Sequence, residues 1–262
     1  MRKAYWDRRR LHETAVMGGV DGKPLGSCRL CLRDAKLCKS HIVPEFLYAP
    51  LYNEDRNFMG ITGRGSKGWK PLNKGSFESL LCADCELMLN REYEQPFQKQ
   101  FIGGSGLPSH LPANYAHTAV FDYLTFKLFH LSILFRASAS SHATFREIGL
   151  AEHEERIRCM LLESDPGHDW EYPILAFAVI NDRNEVERRI ISQPIAARYD
   201  GHRVYGQIYG GAMWWTSVSA HKNDHFLQYG LQRSGQMTFV ASSFRDIAVM
   251  HDAGAALRQV RM

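Results

Sequence analysis

"LLCADCELMLN", residues 80–90, places two cysteines two residues apart where a short apolar run gives way to a pattern of helical period. The apolar part belongs to "FESLLCADC" and reads as a short strand; "CELMLNREYEQ" reads as the helix that follows, with Pro96 expected to end it. On that helix Glu86, Asn90 and Glu94 recur every four residues and share one polar face, while Leu89 and Tyr93 form an apolar stripe beside it. The polar face is therefore available for chemistry.

A matching pair lies upstream, Cys28 and Cys31 in "SCRLC". A two-residue spacer lets both thiolates of a knuckle reach one tetrahedral ion, and two such knuckles supply the four soft ligands of a structural zinc site. Cys28, Cys31, Cys82 and Cys85 are thus the expected zinc ligands. Buried free thiols are the plainer alternative, and a redox pair is disfavoured because neither CxxC sits in a βαβ pattern. Cys38 and His41 in "LCKSHIVPEF" (37–46) offer another set, Cys28, Cys31, Cys38 and His41, but that would leave Cys82 and Cys85 without partners. His41 itself reads three ways: a packed core residue, a zinc ligand, or a working base.

Six cysteines, four of them in CxxC pairs, do not form a disulfide framework, and point to a reducing compartment, expected here to be the cytoplasm. At 262 residues, 45% hydrophobic and 23% charged, the chain has an ordinary globular composition rather than a disordered one. A net charge of +4 is too small to name a polyanion as partner. Local clusters say more: five basic residues open the chain in "MRKAYWDRRR", and Arg64, Lys67, Lys70 and Lys74 fall in "TGRGSKGWKPLNKGS" (62–76) without an acidic residue. Either could track a phosphate backbone, although short basic stretches more often make a solvated face. The basic start does not run into an apolar signal core, and "YAHTAVFDYLTFKLFHLSILFRA" (115–137), with Asp122, Lys127 and two histidines, reads as a buried helix and not as a membrane span.

The expected organisation is a basic arm over 1–27, a zinc-stapled module over 28–102 and an accessory domain over 113–262, with "GGSGLPSHLP" (103–112) as linker. Within the module, "AKLCKSHIV" is a short strand ending near Pro44, and residues 52–76 form a long loop or an irregular hairpin. The accessory region should hold a helix over 114–138, another near 150–163, strands at 172–180, 186–196, 202–218 and 235–241 in an antiparallel meander, and a closing helix in "RDIAVMHDAGAALRQV". The fold class is α+β.

The order CxxC, a strand ending in "SHIVP", then "LLCADCE" opening a helix, resembles the zinc-containing HNH endonucleases, whose fold is the ββα-metal module; the likeness covers residues 28–96. It implies that His41 is the general base, that Ser40 takes the place of the Asp preceding that base, and that Glu86, directly after the last cysteine, holds a catalytic Mg²⁺ or Mn²⁺. Phe77 or Glu78 stands where the family carries its middle Asn. Asn90 and Glu94 would assist from the next turns, and Arg64, Lys67, Lys70 and Lys74 would contact the nucleic-acid backbone, with Trp69 stacking on a base. The implied activity is metal-dependent hydrolysis of phosphodiester bonds, in DNA before RNA, with no membrane and with the C-terminal region selecting substrate or a protein partner. Restriction, phage defence, mobile-element transfer and toxin action all use this chemistry. The competing reading is a zinc-stabilised nucleic-acid- or protein-binding module without catalysis.

Overall fold

The computed structural model describes residues 24–61, 69–104, 106–199, 201–219, 222 and 224–246. The expected N-terminal arm up to residue 23, Arg64, Lys67 and residues 247–260 of the expected closing helix lie outside them, as do the side chains of Trp69 and Lys70. The described residues form a mixed α+β fold with three sheets.

The first sheet is antiparallel, in the order β1 (Leu25–Ser27), β2 (Asp34–His41) and β5 (Phe77–Cys82). β2 alternates in burial, with Ser40 turned inward and His41 toward the surface, and a bulge between Cys38 and Lys39 shifts its register on β5. Residues 52–76, expected as a loop or hairpin, contain a two-stranded hairpin, β3 (Phe58–Ile61) and β4 (Trp69–Leu72). Gly75 lets the chain return to β5 over the ring of buried Tyr48: a Cβ there would stand 2.5 Å from the phenol carbon.

β5 runs straight into α1 (Ala83–Leu89). The helix does not stop at Pro96 as expected. It continues through a π turn (Asn90–Glu94), α2 (Gln95–Phe97) and a second π turn (Gln98–Ile102) before Gly103. Proline breaks a helix by removing one donor and crowding a carbonyl one turn back. Here the wider turn precedes it, with Gln95 N–H reaching back to the Asn90 carbonyl, so Pro96 begins a new stretch at a position that tolerates it.

The sequence reading placed a helix over 114–138, but residues 116–120 form a strand, β6 (Ala116–Val120), and the helix α3 (Tyr123–Ala139) starts after it. Asp122 sets that boundary by accepting the Thr125 N–H through its side chain. Residues 126–138 of α3 are buried without exception, so the helix is central and not amphipathic. α4 (His153–Glu163) follows and is tied to the helix over 83–102 by the Tyr93 hydroxyl, which donates to the Leu161 carbonyl at 2.7 Å.

The large sheet has the order β6, β11 (Gln236–Ser243), β7 (Ile174–Ile180), β10 (Ala212–Ser217), β9 (His202–Tyr209), β8 (Ile195–Tyr199). It is not a pure antiparallel meander, because β11 inserts between β6 and β7 and runs parallel to β7. The run 202–218 divides into two strands at Gly210 and Gly211, whose φ angles of +64° and +88° make the tight turn. Most of 186–196 is irregular, and only its end contributes to β8. The presumed linker is pinned, with Leu111 buried and Ser109 and Leu111 exchanging main-chain bonds with Val186 and Asn184. α5 (Asp224–Tyr229) precedes β11.

Aromatic packing joins these layers. Phe97 stacks on Phe129 of α3, and Trp214 of β10 meets Phe101, Phe126 and His130. Trp215, on the opposite face of β10, is half-buried against Phe177 and Tyr199. Among the described residues no helix is long and apolar enough to cross a membrane.

Candidate functional site

Cys28, Cys31, Cys82 and Cys85 converge, with their sulfur atoms all within 4.8 Å of one another, and could hold a metal ion such as zinc. Local structure explains the convergence. After β1 the chain turns sharply, with Leu32 N–H bonded to the Cys28 carbonyl and Leu32 at a φ of +62°, so both sulfurs of the first knuckle point the same way. The second knuckle straddles the junction of β5 and α1, where Cys82 ends the strand and Cys85 lies in the first helical turn. The knuckles are stitched together by Arg29 N–H on the Leu80 carbonyl at 3.1 Å and Cys82 N–H on Cys28 Sγ at 3.3 Å. Arg158 of α4 donates to the Leu30 carbonyl from outside. Cys38 is not in the cluster, and neither is His41.

The electrostatics suit a soft cation. Burial pushes the Cys28 and Cys85 thiols up. Burial acts the same way on Cys31, but hydrogen bonds from Arg33 outweigh it and bring that thiol down to about 6. Four sulfur ligands this close and mostly buried make a donor set suited to a soft cation such as zinc.

Beside the cluster lies a cleft of about 330 Å³, lined by His41, Glu45, Glu86, Asn90, Glu94 and Arg136, with Pro44, Phe46, Gln95 and Gln98 completing its wall. Three of the four expected catalytic side chains, His41, Glu86 and Asn90, are thus brought together. The fourth is not. Ser40 is fully buried on the other face of β2, where its hydroxyl accepts the Leu81 N–H at 3.1 Å, so it cannot serve the cleft.

His41 is the last residue of β2, its ring one-third exposed, with Nε2 at 3.3 Å from Glu45 Oε2 and Phe77 edge-on against it. Glu45 opens the 3₁₀ turn after Pro44, and its other oxygen accepts the Tyr52 hydroxyl. Burial and that carboxylate push the Tyr52 phenol up to about 12, so it stays a donor. Glu86 Oε1 is buried without a hydrogen-bond partner, an orphan carboxyl oxygen that a cation would satisfy. Asn90 is engaged at both ends: its amide donates to Glu94 Oε2 and its oxygen accepts from Gln95. Glu94 also accepts from Arg136 and is a buried ion-pair partner. Among the described residues no second group of three His, Cys, Asp or Glu ligand atoms converges.

Lys74 stands with its ammonium 5.8 Å from the Phe77 ring, and Lys39 sits 5.4 Å from the same ring. Both charges therefore flank the residue that packs on His41. Lys39 was missed in the sequence although it lies two residues before His41 on the same strand face; period-two alternation finds it. Glu45 and Arg136 were missed as well. Glu45 follows a proline that opens a turn, which is a weak signal, and Arg136 is a lone arginine in an apolar run. Glu78, one candidate for the family's middle residue, faces away and accepts from Ser140 and Ser141.

Compared with known proteins, the chain matches no family model, no curated protein and no solved structure.

Proposed function

We propose that this chain is a metal-dependent endonuclease of the ββα-metal, HNH-like type that hydrolyses phosphodiester bonds of nucleic acid, DNA before RNA. The observation that carries the reading is the cleft itself: His41 at the end of one strand and Glu86, the residue after the last cysteine, line one cavity beside the four-cysteine cluster. The Glu45 carboxylate, 3.3 Å from His41 Nε2, favours a proton on that nitrogen, which would leave Nδ1 as the base that takes a proton from the attacking water. Lys39 and Lys74 bring positive charge to the Phe77 ring that packs on His41, suited to a phosphate backbone. Glu86, with its unpartnered buried oxygen, is the residue that would hold Mg²⁺ or Mn²⁺. That ion would supply charge stabilisation at the phosphoryl group.

The test is cleavage of supercoiled plasmid, single-stranded DNA and RNA by the full chain with Mg²⁺, Mn²⁺ or chelator. His41→Ala is expected to lower the rate by about 10²–10⁴-fold, the usual worth of a general base, while zinc content and folding survive. Unchanged cutting by His41→Ala would refute the assignment. The burial of Ser40 and the engagement of Glu45 and Glu94, which leaves Glu86 the one unengaged carboxylate among the described residues lining the cleft, favour a second reading, a zinc-stabilised binding module without catalysis. It predicts nucleic-acid association with no cutting under any divalent ion.

A further inference from the structure

The cleft is lined from the segment around the cysteine cluster with one exception. Arg136 comes from α3, beyond the stretch that resembles the nuclease module. It is 1% exposed, and its guanidinium is engaged on every nitrogen. Nη1 donates to the main-chain carbonyl of His41 at 2.8 Å; Nη2 donates to Glu94 Oε1 at 2.7 Å and to Ser132 Oγ at 3.2 Å; Nε donates to the Ser132 carbonyl at 3.3 Å. None of these partners is a ligand. The side chain is a strut and not a phosphate-binding arginine.

What the strut joins is informative. His41 is where β2 stops pairing with β5: its register partner is Phe77, and the next main-chain bond, Ile42 N–H to the Ser76 carbonyl, already belongs to the turn. A residue at a strand end has few main-chain restraints, and the Arg136 bond to its carbonyl supplies one. Glu94 lies on the helix face that also carries Glu86 and Asn90, and Asn90 bonds to it in turn. The planar fork of a guanidinium fixes two acceptors at set distances and angles, which an ammonium does not. Arg136 therefore sets the spacing between the strand end that carries His41 and the helix face that carries Glu86.

We infer that Arg136 is a positioning residue: from the long central helix it holds His41 and the Glu86 face in register, so that the site is completed by the accessory region and not by the segment around the cysteines alone. The inference rests on the nuclease reading for its catalytic consequence, but the tether to His41 can be tested without it.

The experiment uses the full chain as wild type, as Arg136→Lys, and as the double variant Glu94→Gln with Arg136→Met, which removes both buried charges together so that neither is stranded. Steady-state cleavage of plasmid DNA with Mg²⁺ or Mn²⁺ is read alongside zinc per chain and the histidine side-chain signals in ¹H–¹⁵N NMR, with His41→Ala assigning the His41 ring. In the double variant kcat should fall by about tenfold to a hundredfold with KM little changed, the signature of a displaced reacting group. Zinc should be retained, the His41 signals should move, and Arg136→Lys should lie between. A double variant that keeps zinc, wild-type kcat and unmoved His41 signals would overturn the inference. Should the wild type cut nothing under any divalent ion, the nuclease reading falls and the His41 signals still decide the tether, moved for and unmoved against. If the double variant does not fold, Arg136→Lys decides by the same readouts.

Discussion

Replacing Arg136 by methionine with Glu94 left in place should be among the most damaging single changes in this protein. The two side chains are 2% and 11% exposed and their charged atoms are 2.7 Å apart. Removing the cation leaves an uncompensated buried carboxylate, which costs about 3–5 kcal/mol. For a chain of this size each kcal/mol lowers the melting temperature by about 2–4 °C, so the expected drop is roughly 6–20 °C. The double change with Glu94→Gln removes the stranded charge, and the cost should shrink to about 1–2 kcal/mol, close to that of the lost neutral hydrogen bonds. Urea unfolding followed by circular dichroism at neutral pH, with zinc present, measures all three variants. A single variant within about 1 kcal/mol of wild type, or a double variant as unstable as the single one, would refute the argument that the pair is buried and mutually dependent.

Three further outcomes follow from other sites. Cys82→Ser should lose the bound zinc and most of the stability of the N-terminal sheet, whereas Cys38→Ser should keep one zinc per chain; metal analysis of the two proteins separates the four-cysteine site from the Cys38 and His41 alternative. Burial would raise the Glu78 carboxyl, but the hydroxyls of Ser140 and Ser141 outweigh it and hold it below its usual 4.5; a depressed acid stabilises above its unfolded value and loses that contribution as pH falls through the folded one, so Glu78→Gln should flatten the loss of stability below about pH 4.5 in acid titrations followed by circular dichroism. Lys127 is brought down to about 7 by burial, against the opposing pull of Glu171, Asp169 and Asp165; the unfolded chain then binds more protons than the folded one between pH 7 and 10.5, so stability should rise across that window in wild type, and Lys127→Met should remove the rise in urea titrations.

The features that could be read from sequence are those set by local geometry. CxxC spacing fixes a knuckle within a few residues, so the four-cysteine cluster was legible, and the strand before "SHIVP" and the strand-to-helix junction at Cys82 followed from short apolar runs. Glu86, Asn90 and Glu94 were legible as one face, although Asn90 and Glu94 turned out to be engaged with each other. The errors arise where tertiary context decides. Pro96 reads as a stop because π turns carry no residue signature, and 116–120 reads as helix because a short apolar run fits either period until a strand partner, here β11, is known. Ser40 shows the opposite case: simple alternation on β2 already sets it on the face away from His41, and the family likeness led past that signal. Arg136 could not be assigned a role without its partners, since a lone arginine in an apolar helix has no local address.

The placement of β11 has a consequence for biosynthesis. Among the described residues β6 pairs only with β11, and β7 needs β11 on one side, yet β11 begins only at Gln236. During translation the chain therefore emerges with β6 and one edge of β7 unpaired until nearly all of the described residues have left the ribosome. The cysteine knuckles and their sheet, built from residues 25–85, are complete in the chain far earlier. Vectorial synthesis thus makes the four-cysteine segment available for assembly first and the large sheet last, and it leaves unpaired strand edges exposed on the nascent chain in the interval.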